Sequence, residues 1–380
     1  MNNKVLLIGE VHHNGLGLVR DFGVNGLKPY GIIIEKENER NYVKSSRYWE
    51  KTWSVNNEIE AISLALSLFS RETERVVLIP WSDRIAREID ENYTKLSASF
   101  LLPSVNSIEG EISRLMNKSN QARLCRMGQI SMMESEIINL NEAGLEKNLE
   151  YKTILKPVTS ADGEKKDICI CDSLQSYQEA LQRFKNKGYI SVLKQKYLEN
   201  KEEYLLTGCV HGSFVAFSVT RNIRQWPRDF GTASFFEVVV DEEIGAFSNR
   251  VMNLLKEVNY SGLVDVEFFK SGKNEFYINE INWRSSGRNF VGLFTGVNPA
   301  YLYYNCLVHK TENRTIFNDK HGYGMNEMTD LRHVIIGHEI SLFRWLKDLC
   351  KANCFAVYYG KDLKPLMHRC CDVILKMLNR

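Results

Sequence analysis

The sequence carries almost no net charge: 49 Lys and Arg stand against 47 Asp and Glu, a formal +2. That balance removes the electrostatic basis for nucleic-acid or acidic-membrane binding. No apolar run reaches the roughly 20 residues that span a bilayer. The opening MNNKVLLIGEVHH holds a short apolar run that reads as a strand, without the longer apolar stretch and small-residue cleavage site of a secretion signal. Nine cysteines form no Cys-x-x-Cys pair, so a zinc site lacks support and reduced, mostly buried thiols in a cytosolic protein are expected. A GxxxxGK[ST] loop, a nucleophile elbow and a convincing Ser–His–Asp set are all missing, which leaves P-loop and hydrolase chemistries without their signatures. Repeats and low-complexity linkers are absent too.

What is present is an ordinary globular composition, 44% hydrophobic and 25% charged, over 380 residues. That length suffices for two or three lobes with a proper core. The first part alternates strand and helix signals. KVLLIGE, YGIIIEKE and RVVLIPW read as strands; NGLGLVRDFG, EIEAISLALSLFSRE and SDRIAREIDEN read as helices, with Ser82 placed to cap the last. Such alternation predicts a parallel α/β sheet, with ligands beyond the strand ends near residues 10–17 and 81–83. Residues 108–149 read as helical and polar. The chain then turns to α+β, with helices near 176–186 and 245–258, and residues 311–380 read as mixed helix and loop ending in an amphipathic helix.

The chemistry concentrates in GLVDVEFFKSGKNEFYINEINWR, which reads as a hairpin. Because side chains alternate along a strand, Asp265, Glu267 and Phe269 share one face of the first run. Glu280, Asn282 and Arg284 share one face of the second, leaving Asn279, Ile281 and Trp283 to the other. Clustered carboxylates in a packed sheet call for a cation, and Mg²⁺ takes one or two carboxylates plus substrate phosphates. Glu267, Glu280 and Asn282 fit that task, and Arg284 could clamp a phosphate or carboxylate. The alternative is a solvated face of cross-strand ion pairs. Upstream, Lys156 ends an apolar strand before a polar loop containing Gly163, suited to folding over a triphosphate. YISVLKQKYLENKEEY offers a strand end for an adenine edge and a carboxylate for a ribose.

With these residues the chain resembles the ATP-grasp superfamily over about residues 115–298. The resemblance implies an α/β plus α+β architecture: an N-terminal parallel α/β domain (1–112), a small lobe (113–192), a large lobe (193–310) and a C-terminal extension (311–380). It implies Mg²⁺, replaceable by Mn²⁺, on Glu267, Glu280 and Asn282 and ATP phosphates on Lys118 and Lys156. Adenine would lie along Gln195, Lys196, Tyr197 and Leu198, where Gln195 replaces the glutamate of many members. The ribose would go to Glu203, with Glu202 competing. Arg284 would contact phosphate or the acyl substrate. TRNIRQWPRDFGTASF is similar to a segment of carbamoyl-phosphate-synthetase-like and D-aspartate-ligase-like members, making Arg221 and Arg224 candidates for phosphate charge or else surface residues. His12 and His13 read first as loop residues and second as substrate contacts.

The implied activity is ligation of a small carboxylate and an amine, amino acids or a short peptide, through an acylphosphate with release of ADP and phosphate. The same ATP site could serve a carboxylase or carbamoyl-phosphate-type enzyme, but no biotin-attachment motif or glutaminase nucleophile region is evident. A non-catalytic ATP-binding scaffold is the third reading, and a homodimer is compatible with all three.

Overall fold

Near-continuous apolar runs such as VLLIGE and VVLIP have no polar face to offer water, so they form strands covered on both sides. In the computed structural model, which describes residues 3–36, 40–142, 149–158, 167–228, 231–272, 275–310 and 314–378, they build the first of three sheets. Strands β1 (Val5–Glu10), β2 (Tyr30–Ile34), β3 (Lys51–Val55), β4 (Val76–Pro80) and β5 (Phe100–Leu101) lie in the order β3-β2-β1-β4-β5, and all pair in parallel. The edge strand β3, KTWSV, buries only Val55 and so lacked the apolar run that marks its neighbours. Strand order reverses between β1 and β4, which opens a crevice at their carboxyl ends.

Strand β6 (Ser104–Val105) leaves this domain to pair with residues 260–261 of the largest sheet. The helices Glu111–Leu115 and Lys118–Met127 follow, in line with the helical reading, but Ser135–Asn139 forms a strand, β7, where a helix was expected. It is a largely exposed edge and shows too little alternation to reveal itself. With β8 (Thr153–Lys156), β9 (Cys169–Cys171) and β10 (Ser191–Lys196) it makes an antiparallel sheet in the order β7-β10-β8-β9. The helix Leu174–Asn186 backs this sheet, burying Tyr177, Ala180, Leu181 and Phe184 at helical spacing. Gly163 and its loop lie outside the described residues.

The third sheet has nine strands. Its main path is β15 (Glu275–Asn282), β14 (Tyr260–Ser271), β11 (Glu202–His211), β12 (Phe214–Trp226), β13 (Thr232–Val239), β17 (Gly322–Met325) and β18 (Cys354–Phe355). Strand β16 (Thr315–Phe317) joins β12 in parallel. Residues 311–380 therefore add three short strands that their helix-and-loop reading did not contain, besides the expected terminal helix, Lys364–Leu378. One face of the sheet packs on the amphipathic helix Glu242–Glu257. Residues of the other face share a core with the helices His13–Val24 and Pro299–His309, which brings the crevice of the first sheet onto the third. No helix among the described residues is long and apolar enough to cross a membrane.

Candidate active site

A cavity of about 560 Å³ opens where the three sheets meet. Its floor is the β14–β15 pair, where Asp265 pairs with Asn282 and Glu267 with Glu280. Directly opposed residues share a face, so all four line the cavity. Ile281 and Trp283 turn into the core as expected, Trp283 against Tyr260 and donating to the Leu115 carbonyl at 3.3 Å. Asn279 departs from the alternation. The register slips between Glu267 and Phe268, which pairs with Ile278, leaving Asn279 as the extra residue of a bulge. Its side chain joins the cavity instead of the opposite face, donating to Glu267 Oε2 at 3.0 Å and accepting from Lys156 Nζ at 3.4 Å.

Both lysines reach this floor. Lys118, first residue of its helix, donates to the Asn279 carbonyl at 2.8 Å and lies 3.2 Å from a Glu280 carboxylate oxygen. Gln121, one turn on, fixes that placement by exchanging hydrogen bonds with the Ile281 backbone, 2.8 and 3.0 Å. Lys156 donates to Gln195 Oε1 at 2.9 Å across adjacent strands. Burial, then the charge of Lys118, lowers Lys156 to a pKa of about 7, against the opposing pull of Glu280 and Glu267. Burial also works against an ionised Glu280, yet Lys118 and Lys156 outweigh it and hold the carboxyl below its ordinary range. Two carboxylates and a carboxamide are the hard oxygen donors Mg²⁺ accepts, and the remaining positions would fall to phosphate and water. Among the described residues no cluster of three or more His, Cys, Asp or Glu offers an all-protein cage.

On the same wall Gln195, Lys196, Leu198 and Glu203 line the cavity. Glu203 pairs with Lys201 at 3.2 Å and accepts from Asn222 at 3.0 Å. The competing Glu202 does not line the cavity and is tied to Arg221 and to Tyr204, so of the two only Glu203 faces it. Tyr197 is not part of the lining either: its N–H donates to the Lys152 carbonyl at 2.8 Å.

The three sequence-predicted arginines are all committed to carboxylates. Arg221 sits between Glu202 and Glu237, both at 2.5 Å. Arg224 sits between Asp330 and Asp348, at 2.8 and 2.6 Å. Neither lines the cavity, because each turns to an acidic neighbour on an adjoining element. Arg284 does line it, but spans Asp83 of the first domain (3.2 and 3.3 Å) and Asp265 (3.0 Å), and burial opposed by these two carboxylates leaves its pKa raised. It acts as a clamp between domains. Asn14 makes a second tie, donating to the Trp81 and Ser285 carbonyls at 3.0 and 2.8 Å and accepting from Asn289 at 2.6 Å. A Cβ on Gly17 would collide with the Asn289 amide, so a bare glycine permits this docking.

Sequence reasoning missed Arg288, whose only signal was a second arginine closing RSSGR. It lines the cavity, donating to Thr220 Oγ1 at 2.5 Å and to Asn222 Oδ1, with Phe236 4.6 Å beneath its plane. The crevice loops complete the chamber with His12, His13, Trp81, Ser82 and Asp83, where the sheet topology placed them. The His13 ring lies 3.9 Å from that of His12, tilted by 38°, and burial with His12 keeps it well below the ordinary histidine pKa. Ser82 occupies the N-cap as expected, but its hydroxyl caps nothing. A Ser–His–Glu string does exist elsewhere, Ser234 to His333 (3.3 Å) to Glu339 (2.7 Å). Ser234 is wholly buried and donates to Asp330 at 2.6 Å, so no acyl group can reach it.

No protein-family model matches the sequence, and no curated protein sequence matches it. Solved structures do match. The N5-carboxyaminoimidazole synthetase of Staphylococcus aureus, solved with ADP, superposes with a TM-score of 0.66 at 15% identity, covering 89% of this chain and 86% of that one. An L-amino acid ligase from Bacillus licheniformis gives 0.61 at 16%, covering 81% and 75%. The biotin carboxylase of Campylobacter jejuni in a β,γ-ATP complex gives 0.62 at 16%, covering 84% and 74%. The chain has the ATP-grasp fold. In ATP-grasp terms, the sheet β7-β10-β8-β9 and the nine-stranded sheet are the two lobes, and the parallel domain stands before them.

Proposed function

We propose that this chain is an ATP- and Mg²⁺-dependent carboxylate–amine ligase working through an acylphosphate. The observation that carries the reading is the opposed pair Glu267 and Glu280, with Asn282, in one cavity with Lys118, Lys156 and Glu203. Support for the chemistry also comes from the names of the structural neighbours, two of which were solved with nucleotide. Residues 1–112 would present the acceptor wall, and the lobes assigned to 113–192 and 193–310 would hold the nucleotide.

In this reading Glu203 takes the ribose hydroxyls, and Gln195, Lys196 and Leu198 border the adenine. Mg²⁺ on Glu267, Glu280 and Asn282 supplies charge neutralisation for the transferring phosphoryl group. Lys118 and Lys156 hold the phosphates in line with a substrate carboxylate, whose oxygen attacks the γ-phosphorus as the bond to the β,γ-bridging oxygen breaks and ADP leaves. An amine then adds to the acylphosphate carbonyl, and phosphate leaves as the C–N bond forms. Positioning and preorganised charge perform the catalysis, with no protein nucleophile required.

Hydroxylamine provides the test, since it intercepts acylphosphates as hydroxamates whatever the natural amine. Incubation with Mg-ATP, hydroxylamine and each proteinogenic L-amino acid, then a set of dipeptides, should give hydroxamate and ADP in equal amounts for some carboxylate. ADP release that depends on bicarbonate alone would instead favour a carboxylase. ATP binding without ADP formation under any condition would favour a scaffold.

A further inference from the structure

Of the two arginines that line the cavity, Arg284 is paired and Arg288 has no carboxylate within ion-pair distance among the described residues; Lys156 likewise meets only neutral oxygens, but at the β15 end. Among the described residues Arg288 makes no ion pair, whereas Arg221, Arg224 and Arg284 each hold two carboxylates. Its partners are a hydroxyl and a carboxamide oxygen, Thr220 and Asn222, which orient the guanidinium without cancelling its charge. Desolvation on the cleft wall pushes its pKa down to about 10, with Asp265, Glu267 and Glu203 acting only at a distance. A guanidinium so placed is stabilised by an incoming anion with a planar fork of acceptors.

Which anion follows from position. Lys118 and Lys156 gather over β15, at Asn279 and Glu280. Arg288 is anchored on β12, three strands away in the order β15-β14-β11-β12, or roughly 14 Å at the usual inter-strand spacing. The opposed carboxylates Glu267 and Glu280 sit on the β14–β15 side of that span. Arg288 lies over Phe236, whose ring packs 5.9 Å from that of Phe290, an apolar wall suited to a carbon skeleton more than to a polyphosphate. Gly287 faces the rings of His12 and His13, which a Cβ there would just touch.

We propose that Arg288 is the receptor for the carboxylate of an amino-acid substrate, held by two guanidinium N–H groups above Phe236. The inference rests on the ligase reading and narrows its substrate class to small organic acids of the amino-acid type. Asn222 then links the two halves of the site, because it accepts from Arg288 and donates to Glu203, the ribose candidate.

The test compares the wild-type chain with Arg288→Gln and Arg288→Lys. Calorimetry with Mg-ADP reports the nucleotide half; a second titration, of mixed proteinogenic L-amino acids into Mg-ADP-loaded protein, reports the carboxylate half. Removing one charge-assisted fork should leave the Mg-ADP Kd within about twofold. It should weaken amino-acid binding, and raise KM in hydroxamate formation, by about tenfold or more, with Lys recovering part of the loss. A Kd for Mg-ADP that rises as much as the amino-acid term would assign Arg288 to nucleotide phosphate and overturn the proposal. So would unchanged amino-acid binding in Arg288→Gln, or no amino-acid heat in the wild type. Should Arg288→Gln fail to fold, Arg288→Lys decides by the same comparison. Failure of the ligase reading looks different: no hydroxamate and no ADP, with both titrations intact.

Discussion

Glu267 on β14 and Glu280 on β15 stand directly opposite each other, two carboxylates on one cavity wall. Like charges so placed repel, and among the described residues only Glu280 of the two has a lysine within ion-pair distance, Lys118 at 3.2 Å. The arrangement makes physical sense when a divalent cation and phosphates complete it. Glu280→Gln keeps the shape and hydrogen-bonding capacity but removes one charge. ADP release should fall on the order of 10²–10³-fold, as for loss of one preorganised electrostatic group. Thermal unfolding of the apo protein should change little. A variant with wild-type turnover would remove Glu280 from the metal site.

Lys156 should make nucleotide binding pH-dependent. With its pKa lowered to about 7, it loses its charge in the neutral range unless phosphates restore it. Mg-ADP affinity measured by calorimetry should weaken from pH 6 to pH 8.5, and Lys156→Arg should flatten that profile. Stability of the apo protein should run the other way. The folded pKa lies below the unfolded value of 10.5, so the unfolded chain binds more protons between about 7 and 10.5 and stability rises with pH there. Lys156→Met should remove this increment.

Arg284 tests the docking of the first domain on the third sheet. Arg284→Gln strands Asp83 and Asp265, and should lower unfolding free energy by about 3 kcal/mol, the scale for breaking a buried pair. A double-mutant cycle with Asp83→Asn, read by urea denaturation, should show coupling of about 1 kcal/mol. Full additivity would mean that the clamp contributes nothing.

Asp21 lies fully buried in the helix His13–Val24, and neither of its carboxylate oxygens has a hydrogen-bond partner. Desolvation raises its pKa well above 3.8. The folded state therefore binds the proton more tightly, and stability present at low pH is lost as pH rises above the unfolded value. Asp21→Leu should stabilise the protein at pH 7 by about 1–3 kcal/mol, the range for an unsatisfied buried polar group. The gain should shrink towards pH 4 in chemical denaturation; a destabilised variant at pH 7 would indicate that Asp21 has a partner.

The legible part of the site was the part built on local period. Glu267, Glu280 and Asn282 could be assigned to one face because side chains alternate, and Ile281 and Trp283 to the core for the same reason. Asn279 could not, since a bulge is a property of two paired strands and leaves no mark on one. Arginine roles were illegible for a related reason. Arg221, Arg224 and Arg284 look alike in sequence, and their availability depends on acidic partners up to 201 residues distant, as Asp83 is from Arg284.

By itself, the sequence determined the order of its parts: apolar runs forced the parallel strands, amphipathic spacing the helices, and alternation the polar face of the hairpin. These are short-range consequences of burial and backbone geometry. The tertiary structure alone decided which charges remain uncompensated. By pairing Arg284 with Asp83 and Asp265 while leaving Arg288 beside neutral oxygens, it moved the free guanidinium four residues along the chain, because neutralisation depends on distances that only folding sets.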